Sequence, residues 1–183
     1  MVYLFLADGF EEIEALYTLD LLRRANIDVL TVGVSGKVAN GSHKIPVVCD
    51  IDCASLPYNS DFDMIILPGG MPGTNNLEAN ETVRRAVLFA KENNILICAI
   101  CAAPKILGGM GLLSGKNATC FPGFEKDLTA AALSKDFVVK DGNIITAKGA
   151  GVAYDFGFEI LAALSGSETA EKLKKQMQCK TEV

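Results

Sequence analysis

Apolar residues in this chain come in short unbroken runs, and amphipathic stretches separate them. Val2 to Leu6 is such a run, the pattern of a parallel strand covered on both faces, and Asp28 to Val34 and Phe62 to Leu67 read as further strands. Between the first two lies Glu11 to Arg24, with acidic residues leading and two arginines closing, which complements a helix dipole. Ile13, Leu16 and Leu19 fall on its helical period as an apolar stripe. Ser35 to Ile51 is rich in Gly, Asn, Val and Ile and reads as a hairpin decorating the sheet; Leu56 to Ser60 reads as a loop. Asn80 is placed to cap a helix from Glu81 to about Glu92, ended by Asn93 and Asn94. A further apolar run, Ile95 to Ile97, leads through small residues around Cys101 into a helix that stops near Gly108 and Gly109. Gly115-Lys116-Asn117 is a turn signal, and Asp141-Gly142-Asn143 joins Phe137–Lys140 to Ile144–Ala147 as a hairpin. Helices over Ala153–Leu164 and Glu168–Gln178 close the chain.

Strands alternating with helices predict an open, mostly parallel sheet with helices on both faces, an α/β sandwich of three layers. The 183 residues show no internal repeat or linker and fit a single domain. Ligands in such sheets bind beyond the carboxyl ends of the strands. Three segments reach that edge carrying unusual chemistry: Gly9 to Glu14, Gly69-Gly70, and Cys101.

The stretch around Cys101 carries the most information. Between a buried strand and a helix start, with Pro104 where a first helical turn tolerates it, a residue is held in a tight turn with its side chain pushed outward. The serine version of this device is the G-x-S-x-G nucleophile elbow; here Ala99 and Ala103 take the small flanking positions. Backbone N–H groups at the helix start, Ala102 first among them, would favour a thiolate and bind a developing oxyanion. A free cysteine is more often an inert buried residue, but the elbow context favours a reactive one. Glu14 could point over the sheet edge towards Cys101 and exchange a proton with it. Glu11 and Glu12 read instead as surface groups that complement the helix dipole.

Composition narrows the remaining choices. Half the residues are apolar and 21% are charged, with a net charge of −5, so no basic surface invites nucleic acid. The amino-terminal run lacks a basic flank, and no apolar run approaches membrane-spanning length. Six cysteines in a chain with a full-sized core and no export signal read as free thiols, which places the protein in the cytoplasm. Cys98 and Cys101 match C-x-x-C, but Cys98 belongs to the strand end and reads as core; Cys49 and Cys53 read as packing residues. No second cysteine pair or histidine cluster completes a metal site. His43, the only histidine, reads as a surface residue in a turn, and no G-x-G-x-x-G follows the first strand. No metal and no organic cofactor is indicated.

Taken together and in order, Gly9-Phe-Glu-Glu-Ile-Glu14, Leu67-Pro-Gly-Gly70, Ala99-Ile-Cys-Ala-Ala-Pro104, Gly149-Ala-Gly151 and Asp155-Phe-Gly157 resemble the ThiJ/PfpI (DJ-one) superfamily, in its bacterial members close to the human parkinsonism-associated protein. The resemblance covers essentially the whole chain as one such domain, residues 1–183. It implies a flavodoxin-like sandwich and a homodimer. It also implies that Cys101 is the elbow cysteine, that Glu14 is its hydrogen-bonding acid, and that the Gly70 and Ala102 amides form an oxyanion-like pocket, lined further by Gly69 and Phe121.

Activities attached to the superfamily include glutathione-independent glyoxalase chemistry on methylglyoxal and glyoxal, and deglycase activity on early glycation adducts. Oxidative-stress sensing, chaperone activity and, in one branch, peptidase activity are also attached to it. The expected substrate is therefore a small α-oxoaldehyde or a glycated molecule, handled by Cys101 and Glu14; the alternative is a stress sensor or chaperone working through Cys101 oxidation. Peptidase members place a histidine directly after the nucleophile, where this chain has Ala102. Some relatives carry a histidine near the cysteine at the position of Phe121. If the glyoxalase reaction needs that imidazole, this protein is weak; if Glu14 alone carries protons, it works.

Overall fold

Alternate residues of the central strands serve two separate cores. Val2, Leu4 and Leu6 pack with Met64, Ile66, Cys98 and Ile100 on one face, while Tyr3, Phe5 and Ala7 pack with Ile65, Leu67, Ile97 and Ala99 on the other. Burial on both faces explains why these strands read as continuous apolar runs with no alternation. The computed structural model describes residues 1–56 and 62–180; all of the expected loop Leu56–Ser60 beyond its first residue lies outside them.

The chain runs β1 (Val2–Leu6), α1 (Glu12–Arg24), β2 (Val29–Gly33), β3 (Val38–Asn40), β4 (Pro46–Val48), β5 (Ile51–Asp52), β6 (Met64–Leu67), α2 (Gly73–Ala79), α3 (Glu81–Glu92), β7 (Leu96–Ile100), α4 (Pro104–Gly109), β8 (Asn117–Ala118), β9 (Ala132–Leu133), β10 (Val138–Asp141), β11 (Ile144–Ala147), α5 (Ala153–Ser165) and α6 (Ser167–Gln176). Among the described residues the main sheet has seven strands in the order β10-β11-β7-β6-β1-β2-β5. All pairings in it are parallel except β10 with β11. Helices α1, α5 and α6 cover one face, and α2, α3 and α4 the other. This is the α/β sandwich that the element order predicts, of the flavodoxin type that the resemblance implies. Among the described residues no helix is long and apolar enough to cross a membrane.

Several local expectations are met by identifiable interactions. Asn80 caps α3 by accepting a 3.1 Å hydrogen bond from Val83 N. Pro104 opens α4, and β10 and β11 form the expected hairpin across Asp141-Gly142-Asn143. The hairpin within 35–51 is β3 paired with β4, standing off the main sheet; the chain then returns to add β5 as an edge strand, which the pattern did not reveal. Asp50 anchors that return, accepting at 2.8 Å from both Thr31 N and Thr31 Oγ1 and at 2.7 Å from Arg23. Helix α2 was also not anticipated, because its sequence, GTNNLEA, carries only one large apolar residue, Leu77.

The apolar stripe expected on α1 is corrected. Ile13 is 56% exposed, and the buried face carries Ala15, Thr18, Leu21 and Leu22 together with Glu14. Thr18 can join the core because its hydroxyl donates to the Glu14 carbonyl at 2.7 Å, leaving no unsatisfied polar group. Polarity therefore misled the choice of face.

The strand order places a topological switch beside β1: the chain leaves it for β2 and β5, then returns to its other side as β6. The crevice beyond β1 and β6 is where such sheets hold ligands. Its walls are pressed together without side chains between them. Gly73 N donates to Gly9 O at 3.2 Å, and a Cβ on Gly73 would come within 2.5–2.6 Å of Phe10 and Gly9 backbone atoms. Replacing Gly73 by Ala is expected to lower the free energy of unfolding by about 1–3 kcal/mol, the usual range for overpacking, read by urea denaturation. Wild-type stability in that variant would show that the two turns separate freely.

Candidate active site

Cys101 follows β7 directly, with φ +64°, a left-handed conformation that non-glycine residues rarely adopt. Two backbone hydrogen bonds hold it there: Cys101 N donates to Ala147 O at 2.9 Å, and Phe121 N donates to Cys101 O at 2.8 Å. The turn throws the side chain up from the sheet edge, as expected for an elbow, and leaves Cys101 partly exposed between buried neighbours.

Glu14 arrives from the other side of the crevice. Glu11 N donates to Gly69 O at 2.9 Å, which fastens the start of α1 to the turn after β6. Glu11 also caps the helix, its Oε2 accepting from Glu14 N at 2.8 Å. One residue into the helix past that anchor, Glu12 turns to the hairpin, and Glu14 turns inward, fully buried. Its Oε2 accepts from Gly69 N at 2.8 Å. Its Oε1 is buried without a partner at hydrogen-bond geometry, although the Cys101 side chain and the Ala150 N–H also bear on the carboxyl. Gly69 must lack a side chain for this meeting to occur. A Cβ there would lie 2.6 Å from Cys101 Cβ and 2.8 Å from Glu14 Oε2.

The Gly70 and Ala102 N–H groups both donate towards the Cys101 sulfur, so the two amides implied by resemblance converge there. Gly70 reaches this position at φ +90°, where a Cβ would collide at 2.5 Å with Glu11 N and Gly9 O. The structure thus brings Cys101, Glu14, Gly69, Gly70 and Ala102 together. Phe121 borders the same space across Gly149: a Cβ on Gly149 would lie 3.1 Å from the Phe121 ring and 3.9 Å from Cys101 Sγ.

Both reacting groups resist charge. Burial raises the Glu14 pKa from 4.5 to about 7, with the Gly69 N–H opposing it. Burial first, and then the Glu14 carboxylate, push the Cys101 thiol up to about 12, while the two amides pull it down. The preference of the two amides for a thiolate is thus opposed by desolvation and by the neighbouring acid. A thiol beside a carboxyl that titrates near neutrality is a pair able to pass one proton between them.

Other sequence candidates fall outside this pocket. Cys98, Cys49 and Cys120 are buried in the cores, and all six cysteines are free thiols. His43 is a surface residue as expected, but Glu12 is not a surface group. It is 5% exposed, accepting from His43 N at 2.6 Å and contacting His43 Nδ1 at 2.7 Å. The pair closes the β3–β4 hairpin against α1. Glu11, Glu12 and His43 have ligand atoms within 4.8 Å of one another, but the Glu12 oxygens are engaged in that closure. Sequence reasoning gave no role to Gly149 and Ala150 beyond a motif match. Their value is spatial, one leaving room beside the sulfur and the other directing an N–H at Glu14, and no periodicity signals either.

An α/β sandwich holding a cysteine in a strained elbow, beside a buried acid and two inward amides, has the geometry of the nucleophile-elbow class. Sequence comparison makes the assignment specific: the chain belongs to the DJ-1/PfpI family, whose profile matches residues 1–163. It is 35% identical to Protein dj-1beta of Drosophila melanogaster, with 93% of this chain and 92% of that protein aligned. It is 33% identical to glutathione-independent glyoxalase DJR-1.2 of Caenorhabditis elegans, over 91% of this chain and 89% of that one. The crystal structure of a cysteine-to-alanine variant of a DJ-1 superfamily protein from Salmonella typhimurium superposes with a TM-score of 0.93 at 35% identity, covering 98% of each chain.

The raised Glu14 pKa has a consequence for stability. A folded-state value above the unfolded one contributes stability fully present below about pH 4.5 and lost as pH rises through about 7. Wild type is expected to lose ~2 kcal/mol relative to Glu14→Gln between pH 5 and pH 8, measured by urea unfolding at both values. A difference independent of pH would mean that Glu14 is ionised throughout.

Proposed function

We propose that this protein converts methylglyoxal and related α-oxoaldehydes to hydroxy acids without glutathione, through a hemithioacetal on Cys101. The observation that carries this reading is the meeting of Cys101 with a buried Glu14 whose pKa lies near 7. The Glu14 carboxylate takes the thiol proton as sulfur adds to the aldehyde carbon, and the Gly70 and Ala102 amides bear the developing oxyanion. Glu14 then returns that proton to the oxygen. As carboxylate again, it removes the proton from the former aldehyde carbon, leaving the electron pair to form an enediolate. It delivers that proton to the adjacent carbon while the hydroxyl proton passes to the adjacent oxygen. The former aldehyde carbon is thereby oxidised to a thioester and its neighbour reduced to an alcohol. Water cleaves the thioester, releasing the hydroxy acid and restoring the thiol.

Support comes also from the relative named as a glutathione-independent glyoxalase. A peptidase reading lacks its base, since the His43 ring is bound to Glu12 and does not act on the Cys101 sulfur. Early glycation adducts present the same carbonyl chemistry and fit the same machinery. The sensor reading is favoured by the two amides, which would equally accept hydrogen-bonding oxygens on an oxidised sulfur. A homodimer is part of the proposal; Ile13 and Ile45, 56% and 49% exposed, are apolar side chains that a second copy would cover. Free thiols throughout fit a reducing compartment such as the cytoplasm.

The test is lactate formation from methylglyoxal without glutathione, with thiol titration to separate turnover from reversible trapping. Cys101→Ala is expected to abolish it, and Glu14→Gln to lower kcat by about 100-fold or more. Trapping of one aldehyde per thiol with no lactate would overturn the enzyme reading and leave Cys101 a sensor.

A further inference from the structure

Along the Gly149 backbone, which also approaches the Cys101 sulfur, lies a cavity of about 320 Å³ that the chemistry above does not use. It is bounded by Phe121, Pro122, Phe137 and Lys148, and by the backbone from Gly149 to Val152. Its volume falls at the small end of the roughly 300–1,000 Å³ typical of small-molecule sites. Two aromatic rings face outward here at unusual cost in exposed apolar area: Phe121 is 47% exposed and Phe137 62%.

Gly149 connects this cavity with the reacting atoms. Its backbone is extended, with φ 162° and ψ −173°, a conformation open to any residue, so glycine is not needed there for conformational freedom. What it supplies is close approach: a Cβ there would crowd the Phe121 ring at 3.1 Å and stand 3.9 Å from Cys101 Sγ, so the ring and the sulfur lie on either side of this backbone position. The next residue, Ala150, is the one whose N–H bears on Glu14. The wall is thus shared by the catalytic pair and the cavity. The one charged side chain bounding the cavity, Lys148, lies 4.7 Å from the Phe137 ring centre and donates to Lys135 O at 2.6 Å.

Methylglyoxal and glyoxal have too little apolar surface to occupy such a space once bound to sulfur. A flat ring on the carbonyl carbon, two bonds beyond the carbon held by sulfur, would reach the Gly149 edge of the cavity and find the apolar surface of Phe121 and Phe137 there. We propose that this cavity receives the substrate's side chain, and that the protein prefers α-oxoaldehydes bearing an aryl group, with an aromatic 2-hydroxy acid as product. Part of this rests on the glyoxalase reading, but the cavity's selectivity for an aryl group does not. For phenylglyoxal the balance is one aldehyde plus one water to mandelate, with the oxidation at one carbon matched by reduction at its neighbour.

The experiment has two arms on the full chain. The first compares kcat/KM for phenylglyoxal and methylglyoxal, with mandelate and lactate measured as products, in wild type, Phe121→Ala and Phe137→Ala. The second measures protection of Cys101 from iodoacetamide by mandelate against lactate, and needs no turnover. Phenylglyoxal is expected to be favoured by about tenfold or more, and mandelate to protect at a correspondingly lower concentration. Both preferences should fall towards one in the two variants. Phe137 is mostly exposed, so its loss is not expected to impair folding. Methylglyoxal turnover without aryl preference in either arm overturns this inference and leaves the proposed function standing. Mandelate protection without turnover of either aldehyde sinks the glyoxalase reading and retains the aryl site. Failure of both arms removes both. If the face is instead covered by a second copy, protection shows no preference and the variants shift the sedimentation mass towards monomer, which also overturns the inference.

Discussion

Cys101 occupies left-handed backbone space, and the rest of the site is arranged around keeping it there. A non-glycine residue in that region is strained by roughly 1–2 kcal/mol, and a chain with any freedom would relax. Here the amide and the carbonyl of the same residue are both engaged, by Ala147 and by Phe121. Strand β11 and the loop after β8 therefore clamp the elbow from two sides. Against the third side stands Gly69, with no side chain to push back. The reactive group is accurately placed because its surroundings leave it no alternative.

The same packing sets the electrostatics. Bringing the turns after β1, β6 and β7 into backbone contact removes water from between them, and desolvation is the largest influence on both Glu14 and Cys101. Neither group is stable as an anion beside the other. A resting thiol paired with an acid of near-neutral pKa suits chemistry in which one proton moves back and forth. The amides of Gly70 and Ala102 only partly offset that cost on the sulfur; in the proposed reaction they would bear the charge developing on oxygen.

Position 121 shows how one aromatic residue alters such a site. Its backbone N–H supports the elbow, which any residue but proline could do, while its ring shapes the open side towards Phe137 and Lys148. Among titratable side chains it is Glu14 that acts on the Cys101 sulfur. Phe121 thus offers no titratable group to the sulfur and contributes apolar surface.

Much of this architecture was legible in the linear chain because buried parallel strands and capped helices leave strong local patterns. The runs at β1, β6 and β7, the Asn80 cap, the Pro104 helix start and the hairpin at Gly142 are each encoded by a few adjacent residues. Cys101 was legible for the same reason, as small residues between a strand and a helix. Short range is also where that legibility ended. The polar Glu12 and Thr18 concealed the buried face of α1, since hydrogen bonds to His43 and to a backbone carbonyl make burial acceptable and neither is visible in hydropathy. The edge strand β5 and helix α2 are too short or too polar to announce themselves. The desolvation of Cys101, the close approach of Gly149 to its sulfur and the cavity beside that glycine were decided by the tertiary structure alone. Each depends on how closely residues distant in sequence approach, and desolvation and steric exclusion are properties of that approach, absent from the order of residues in any one segment.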